Sequence, residues 1–186
     1  MIPTLYPPFQ HWAEKGSVYI LSDLHFVTEG KEQQLPDWIM LEEQLARINK
    51  KVQKNDTFVC LGDVGEPEYV KQIRAGKKIL LLGNHDARGR YKEVFDEVYA
   101  GPLFIADKIL LSHEPVGVPF ALNIHGHDHG WSCEYKEDCY YLNLAANVCD
   151  FTPVNLGTLI RDGALAKIQG IHELTIDRRL GRGKSE

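Results

Sequence analysis

The sequence predicts an α/β domain of the α+β kind, and two observations predict it. Short apolar runs rich in β-branched residues alternate with segments of helical period. Five polar motifs each follow one of those runs: Asp23-Leu24-His25, Gly62-Asp63, Gly83-Asn84-His85-Asp86, His113 and Gly126-His127-Asp128-His129. That placement puts the chemistry at the C-terminal ends of strands, where open α/β sheets collect their sites.

Taken in order, the strands are expected at Val18–Leu21, Thr57–Leu61, Lys78–Leu82, Leu103–Ile105, Lys108–Leu111, Ala121–Ile124 and Tyr140–Leu144. Trp38, Leu41, Leu45, Ile48 and Val52 recur at helical spacing behind Pro36-Asp37, where proline occupies a first turn without losing a bond. A second helix is expected from Pro67 to Gly76, proline opening it and glycine closing it. Tyr91, Val94, Phe95 and Val98 fit the i, i+3, i+4, i+7 template of a third. A fourth starts after Asn155, a good N-cap, with Leu156, Leu159 and Ile160 inward.

At 186 residues and 44% hydrophobic content the chain fits one domain, 1–186, with a full core. Residues 1–16 read as an N-terminal extension, packed on the body through Phe9 and Trp12, and 178–186 as a basic tail. A formal net charge of -5 argues against an extended nucleic-acid groove, which needs a basic face. A small anionic substrate stays open, because bound cations reverse the local sign of the field. No apolar run approaches the roughly 20 residues of a membrane span and the N-terminus lacks a secretory pattern, so a cytoplasmic protein is expected. The four cysteines, Cys60, Cys133, Cys139 and Cys149, suit reduced thiols better than a disulfide framework or a metal site.

The motifs supply oxygen and imidazole ligands, a set that suits two borderline-hard divalent metals better than one structural zinc. Six of the eight histidines (His25, His85, His113, His125, His127, His129) sit in or beside them, leaving only His11 and His172 elsewhere. Each motif alone has an ordinary reading: a loop aspartate near a histidine, a glycine turn, a satisfied structural histidine. Five in series, each after an apparent strand, point to a metal site. Two ions roughly 3.5–4 Å apart can generate a bridging hydroxide at neutral pH and spread the charge of an in-line displacement at phosphorus, with no nucleophilic side chain required. The chain carries no G-x-S-x-G elbow, P-loop or H-E-x-x-H helix.

The pattern D-x-H, G-D, G-N-H-D, a lone histidine and G-H-D-H resembles the calcineurin-like metallophosphoesterase superfamily from Val18 to about Val154. More narrowly it is similar to the small, cap-less bacterial and phage phosphoesterases, including the H-G-H-x-H-G ending and the Pro153-Val154 lead into a C-terminal helix. The resemblance implies a four-layer αββα sandwich of two mixed sheets. Within it Asp23, His25 and His129 would hold one metal, Asn84, His113 and His127 the other, and Asp63 would bridge them. His85 would protonate the leaving oxygen or stabilise the transition state, with Asp86 orienting it. Where the family carries a second acidic residue two to three positions after G-D, this chain has none unless Glu66 serves. Mn²⁺ is the expected metal, with Fe, Zn²⁺, Ni²⁺ or Mg²⁺ as alternatives.

Around the motifs, Arg88 and His125 are candidate substrate contacts, His125 alternatively supporting His127. Arg90 is placed like Arg88, and Trp131 and Tyr135 could line a rim or cover core. The expected function is metal-dependent hydrolysis of a phosphomonoester or small phosphodiester. Two alternatives stay beside it: a nuclease acting on nucleic-acid ends, which salt-dependent DNA binding would support, and a non-catalytic interaction module on the same fold.

Overall fold

The computed structural model describes residues 12–27, 39–130, 133–136 and 139–168. Among them two five-stranded sheets face each other. The first is built from β1 (Val18–Leu21), β2 (Thr57–Cys60), β3 (Lys77–Leu81) and β4 (Glu97–Tyr99), all parallel, with β10 (Val154–Asn155) antiparallel on the β1 edge. The second contains β5 (Leu103–Ala106), β6 (Ile109–Leu111), β7 (Leu122–His125), β9 (Cys139–Asn143) and β8 (Cys133–Lys136), in that spatial order. In it β6, β7 and β9 run parallel, and β5 and β8 are antiparallel edges.

Strand alternation divides the apolar residues between two cores. Ile20, Val59, Ile79 and Leu81 point between the sheets and meet Ile109, Leu111, Leu122 and Ile124 from the second sheet. Leu21, Phe58, Cys60 and Leu80 point outward and are covered by α1 (Leu41–Lys51) through Leu41, Leu45 and Ile48. Burial on both faces is why β1 to β3 read as continuous apolar runs. Helix α1 carries Glu42 and Glu43 in its first turn and Lys50 and Lys51 in its last, each sign matched to the helix dipole. Its one inward polar residue, Gln44, donates to the Leu24 carbonyl at 2.9 Å. Trp12 packs against the inter-sheet core, as expected of the entry segment; Phe9 lies outside the described residues.

Three expectations change. The second helix, α2 (Pro67–Val70), is one turn long and gives way to turns before Gly76. The third is not a helix: residues 91–94 form turns, and Val98 lies in β4, paired with Leu80. Tyr91 and Phe95 are buried as the spacing suggested, but the apolar period described a turn packed on the sheet. Helix α3 (Leu156–Arg161) begins after its Asn155 cap, whose side chain accepts from the Thr158 amide, yet Ile160 is exposed while Leu156 and Leu159 join the inter-sheet core. The described helices pack on the first sheet or the inter-sheet core. None is long and apolar enough to cross a membrane.

A seam joins the sheets beneath the site. Ser22, just past β1, pairs with Ala145, just past β9, donating to the Leu144 carbonyl at 2.8 Å and accepting from the Ala146 amide at 2.9 Å. The C-terminal ends of both sheets therefore meet on one side of the molecule.

Candidate metal centre

Each predicted motif follows the end of a strand at that seam: Asp23 and His25 after β1, Asp63 after β2, Asn84 after β3, His113 after β6, His127 and His129 after β7. The loops are stitched laterally. Asp23 donates its amide to the Gly62 carbonyl, and His25 to that of Asp63, both at 2.9 Å. Asp23, His25, Asp63 and His127 have φ of 56°, 43°, 53° and 68°, left-handed backbone that costs a non-glycine residue about 1–3 kcal/mol. Gly126 is required for a different reason: a Cβ there would collide with the Ser22 hydroxyl and the Asp23 carboxylate.

Two ligand groups result, Asp23 with His25 and His129, and Asp63 with His113 and His127. Asn84 joins the second through its amide oxygen, 2.8 Å from His113 Nε2 and 3.1 Å from His127 Nδ1. The donor set of this group fits a cation. His113 Nδ1 lies 2.9 Å from the Leu61 carbonyl, which can only accept, so Nδ1 carries a proton. In the neutral ring Nε2 is then a lone pair, and it faces the Asn84 oxygen and, at 3.2 Å, His127 Nδ1. Asp63 Oδ2 stands 3.4 Å from the same Nε2. Burial opposes charge on His113, but Asp63 outweighs it and lifts the imidazole above its ordinary pKa. The pocket favours positive charge where Nε2 points.

In the other group His129 Nε2 and His25 Nε2 lie 3.4 and 3.9 Å from Asp23 Oδ1. Burial depresses the His25 pKa despite Asp23 and Asp63, which favours the neutral ring a metal needs. Asp63 stands between the groups: Oδ2 is also 3.9 Å from His25 Nε2, while Oδ1 accepts from the His85 amide at 3.0 Å. Burial would raise the Asp63 pKa, but the His113 and His85 hydrogen bonds prevail and lower it.

The family resemblance assigns His127 and His129 to different ions, and the backbone lets their rings diverge. In an extended strand, residues i and i+2 leave the same side. The left-handed φ of His127 turns the chain, so its ring joins the Asp63 group and that of His129 the Asp23 group.

The neighbouring residues need correction or placement. Asp86 does not orient His85: its carboxylate accepts the amides of Asp63 at 2.8 Å, Gly83 at 2.9 Å and Val64 at 3.1 Å. It fixes the loop behind Asp63, while Glu66 is paired with Arg90 at 2.5 Å. His125 is not a substrate contact, because it ends β7 on the face opposite the inward Ile124, is 0% exposed and bonds the Gly126 carbonyl at 2.7 Å. Arg88 is exposed beside the Asn84 loop. His85 is also open, its side chain 71% exposed and Nε2 4.0 Å from Asp63 Oδ2. Trp131 and the side chain of Tyr135 lie outside the described residues.

Sequence reasoning missed Asn143 and Asn147, whose amides hold the loop carrying His127 and His129. Asn143 ends β9 and Asn147 lies in the turn that follows it, so the available signal was a pair of asparagines at the end of an apolar strand.

The model of the calcineurin-like phosphoesterase family matches residues 16–142, and the chain belongs to that family. Among solved structures it is similar to AQ665 of Aquifex aeolicus, a protein of unknown function, at 27% identity and a TM-score of 0.63, covering 78% of this chain and 98% of that one. Yfce, a phosphoesterase from E. coli, is 19% identical over 69% of this chain and 78% of its own, with a TM-score of 0.46. Nuclease MPE of Pseudomonas putida is 20% identical over 60% of this chain and 61% of its own, with a TM-score of 0.45. No curated protein matches.

Proposed function

We propose that this protein hydrolyses phosphomonoesters or small phosphodiesters with two divalent cations, Mn²⁺ foremost. The observation that carries the reading is the convergence of His113 Nε2, His127 Nδ1 and the Asn84 oxygen beside Asp63, with Asp23, His25 and His129 as a second such group. Cations held there would supply a nucleophile at neutral pH and positive charge for the phosphoryl oxygens.

The chain's own residues do the rest. Asp63 presents one oxygen to both groups. The Leu61 carbonyl fixes the His113 tautomer, and Asp86 fixes the Asp63 backbone. His85 is the one histidine of the cluster that stands outside both ligand groups and opens to solvent, which suits it to deliver a proton to the leaving oxygen.

The test is a hydrolysis screen across phosphomonoesters, phosphodiesters and cyclic nucleotides, with metal-depleted and Mn²⁺-restored protein. Turnover that returns with Mn²⁺ is expected. Protein that binds two Mn²⁺ per chain and hydrolyses none of the panel overturns the enzymatic reading.

A further inference from the structure

Residues 126–130 are a turn between β7 and the β8–β9 hairpin, and this turn must deliver two imidazoles in different directions. The carbonyls of Asp128 and His129 lie outside the strand ladders, where acceptors still need partners. Both receive an asparagine amide from the end of β9 and the turn after it: Asn143 Nδ2 donates to the Asp128 carbonyl, and Asn147 Nδ2 to the His129 carbonyl at 2.9 Å. Asn143 is itself fixed, its oxygen accepting the Ala145 amide at 2.9 Å. Asn147 follows immediately on Ala146, which is hydrogen-bonded to Ser22 at the seam, so its backbone is tied to the strand that leads into Asp23 and His25.

From this geometry we infer that Asn147 is a positioning residue for the Asp23 group, setting the distance between His129 and Asp23 through the His129 main chain. The His129 side chain is 36% exposed and approaches Asp23 Oδ1 only to 3.4 Å, so backbone placement governs where its Nε2 stands. His127 is held by separate means, since its amide donates to Asp23 Oδ2 at 2.9 Å and its ring packs on His113 with centroids 5.0 Å apart. Loss of the Asn147 amide therefore acts on one group and spares the other.

The inference rests on reading these side chains as cation ligands, and its test has a readout other than turnover. Mn²⁺ binding is measured by equilibrium dialysis and by electron paramagnetic resonance, which separates coupled ion pairs from single ions. The proteins are wild type, Asn147→Ala and Asn147→Leu, leucine keeping the shape of asparagine without its donor. Both variants are expected to bind one Mn²⁺ as wild type does and the other about 10–100-fold more weakly, the usual effect of removing a group that holds a ligand. The coupled signal should be replaced by that of a single ion, with the metal-free melting temperature unchanged. Equal weakening of both ions, no weakening, or a loss confined to Asn147→Ala, which would mark a packing role, overturns the inference. Wild type that fails to bind two ions overturns the dinuclear reading itself.

Discussion

The two ligand groups are held in different ways. In the Asp63 group the His113 side chain is 4% exposed and both of its ring nitrogens are engaged, with Asp86 bracing the loop behind. In the Asp23 group the His25 and His129 side chains are 19% and 36% exposed and reach the carboxylate at 3.9 and 3.4 Å. The first is preorganised through the buried His113, although its His127 ring is as open as that of His129, and the second depends on loop placement. Preorganised donors lose less freedom on binding, so the Asp63 group should fill first and the Asp23 group should exchange its ion more readily.

The most drastic way to break this contrast is to remove the residue both groups share. Asp63→Ala should leave fewer than two Mn²⁺ per chain after dialysis and reduce hydrolysis to background. Retention of two ions, measured by elemental analysis, would exclude a shared ligand.

His85→Ala comes next and asks whether the exposed histidine belongs to either group. It should keep both ions and lower turnover by about 10²–10⁴-fold, the range for loss of a general acid. The defect should be larger for an alkyl ester than for 4-nitrophenyl phosphate, whose leaving group needs little protonation. Loss of an ion would make His85 a ligand, and an equal defect along the series would make it a positioning or electrostatic residue.

A milder test compares His113→Ala with His129→Ala in metal-free protein. Removing His113 strips the Leu61 carbonyl of a buried donor, which costs about 1–3 kcal/mol, and the melting temperature should fall by about 2–4 °C per kcal/mol. His129→Ala should shift it by less than about 2 °C, as substitutions outside the core do. Equal shifts would erase the contrast. Smallest of all, Asp86→Asn keeps one acceptor for the amides behind Asp63 and should cost about 1 kcal/mol, read from a denaturant titration.

Much of the fold is legible in the sequence. Buried parallel strands advertise themselves as continuous apolar runs, so β1, β2, β3, β6, β7 and β9 stood out to within a residue or two at most ends. The edges β4 and β10 did not, because three-residue and two-residue strands are stabilised by pairing that no local pattern encodes. Val98 shows the limit well: its spacing from Tyr91 is helical, yet its hydrogen-bonded neighbour is β3. The five motifs stood out as polar residues after strands, and the family resemblance supplied the candidate ligands among them. What the residue types could not reveal was which backbone amides and carbonyls lay free at the loop ends, and that decided the roles of Asp86, Asn143 and Asn147.

The left-handed backbone at Asp23, His25, Asp63 and His127 carries a consequence for how such a site is lost over generations. While cations must be held, selection retains these side chains in a backbone region that glycine would occupy more readily. Once that demand lapses, glycine at His25 or His127 would relieve local strain, whereas Asp23 and Asp63 would still be needed to accept the His127 and His85 amides. His113 would change more slowly, because the Leu61 carbonyl needs its proton with or without chemistry. A descendant freed from holding cations would thus change first at His25 and His127.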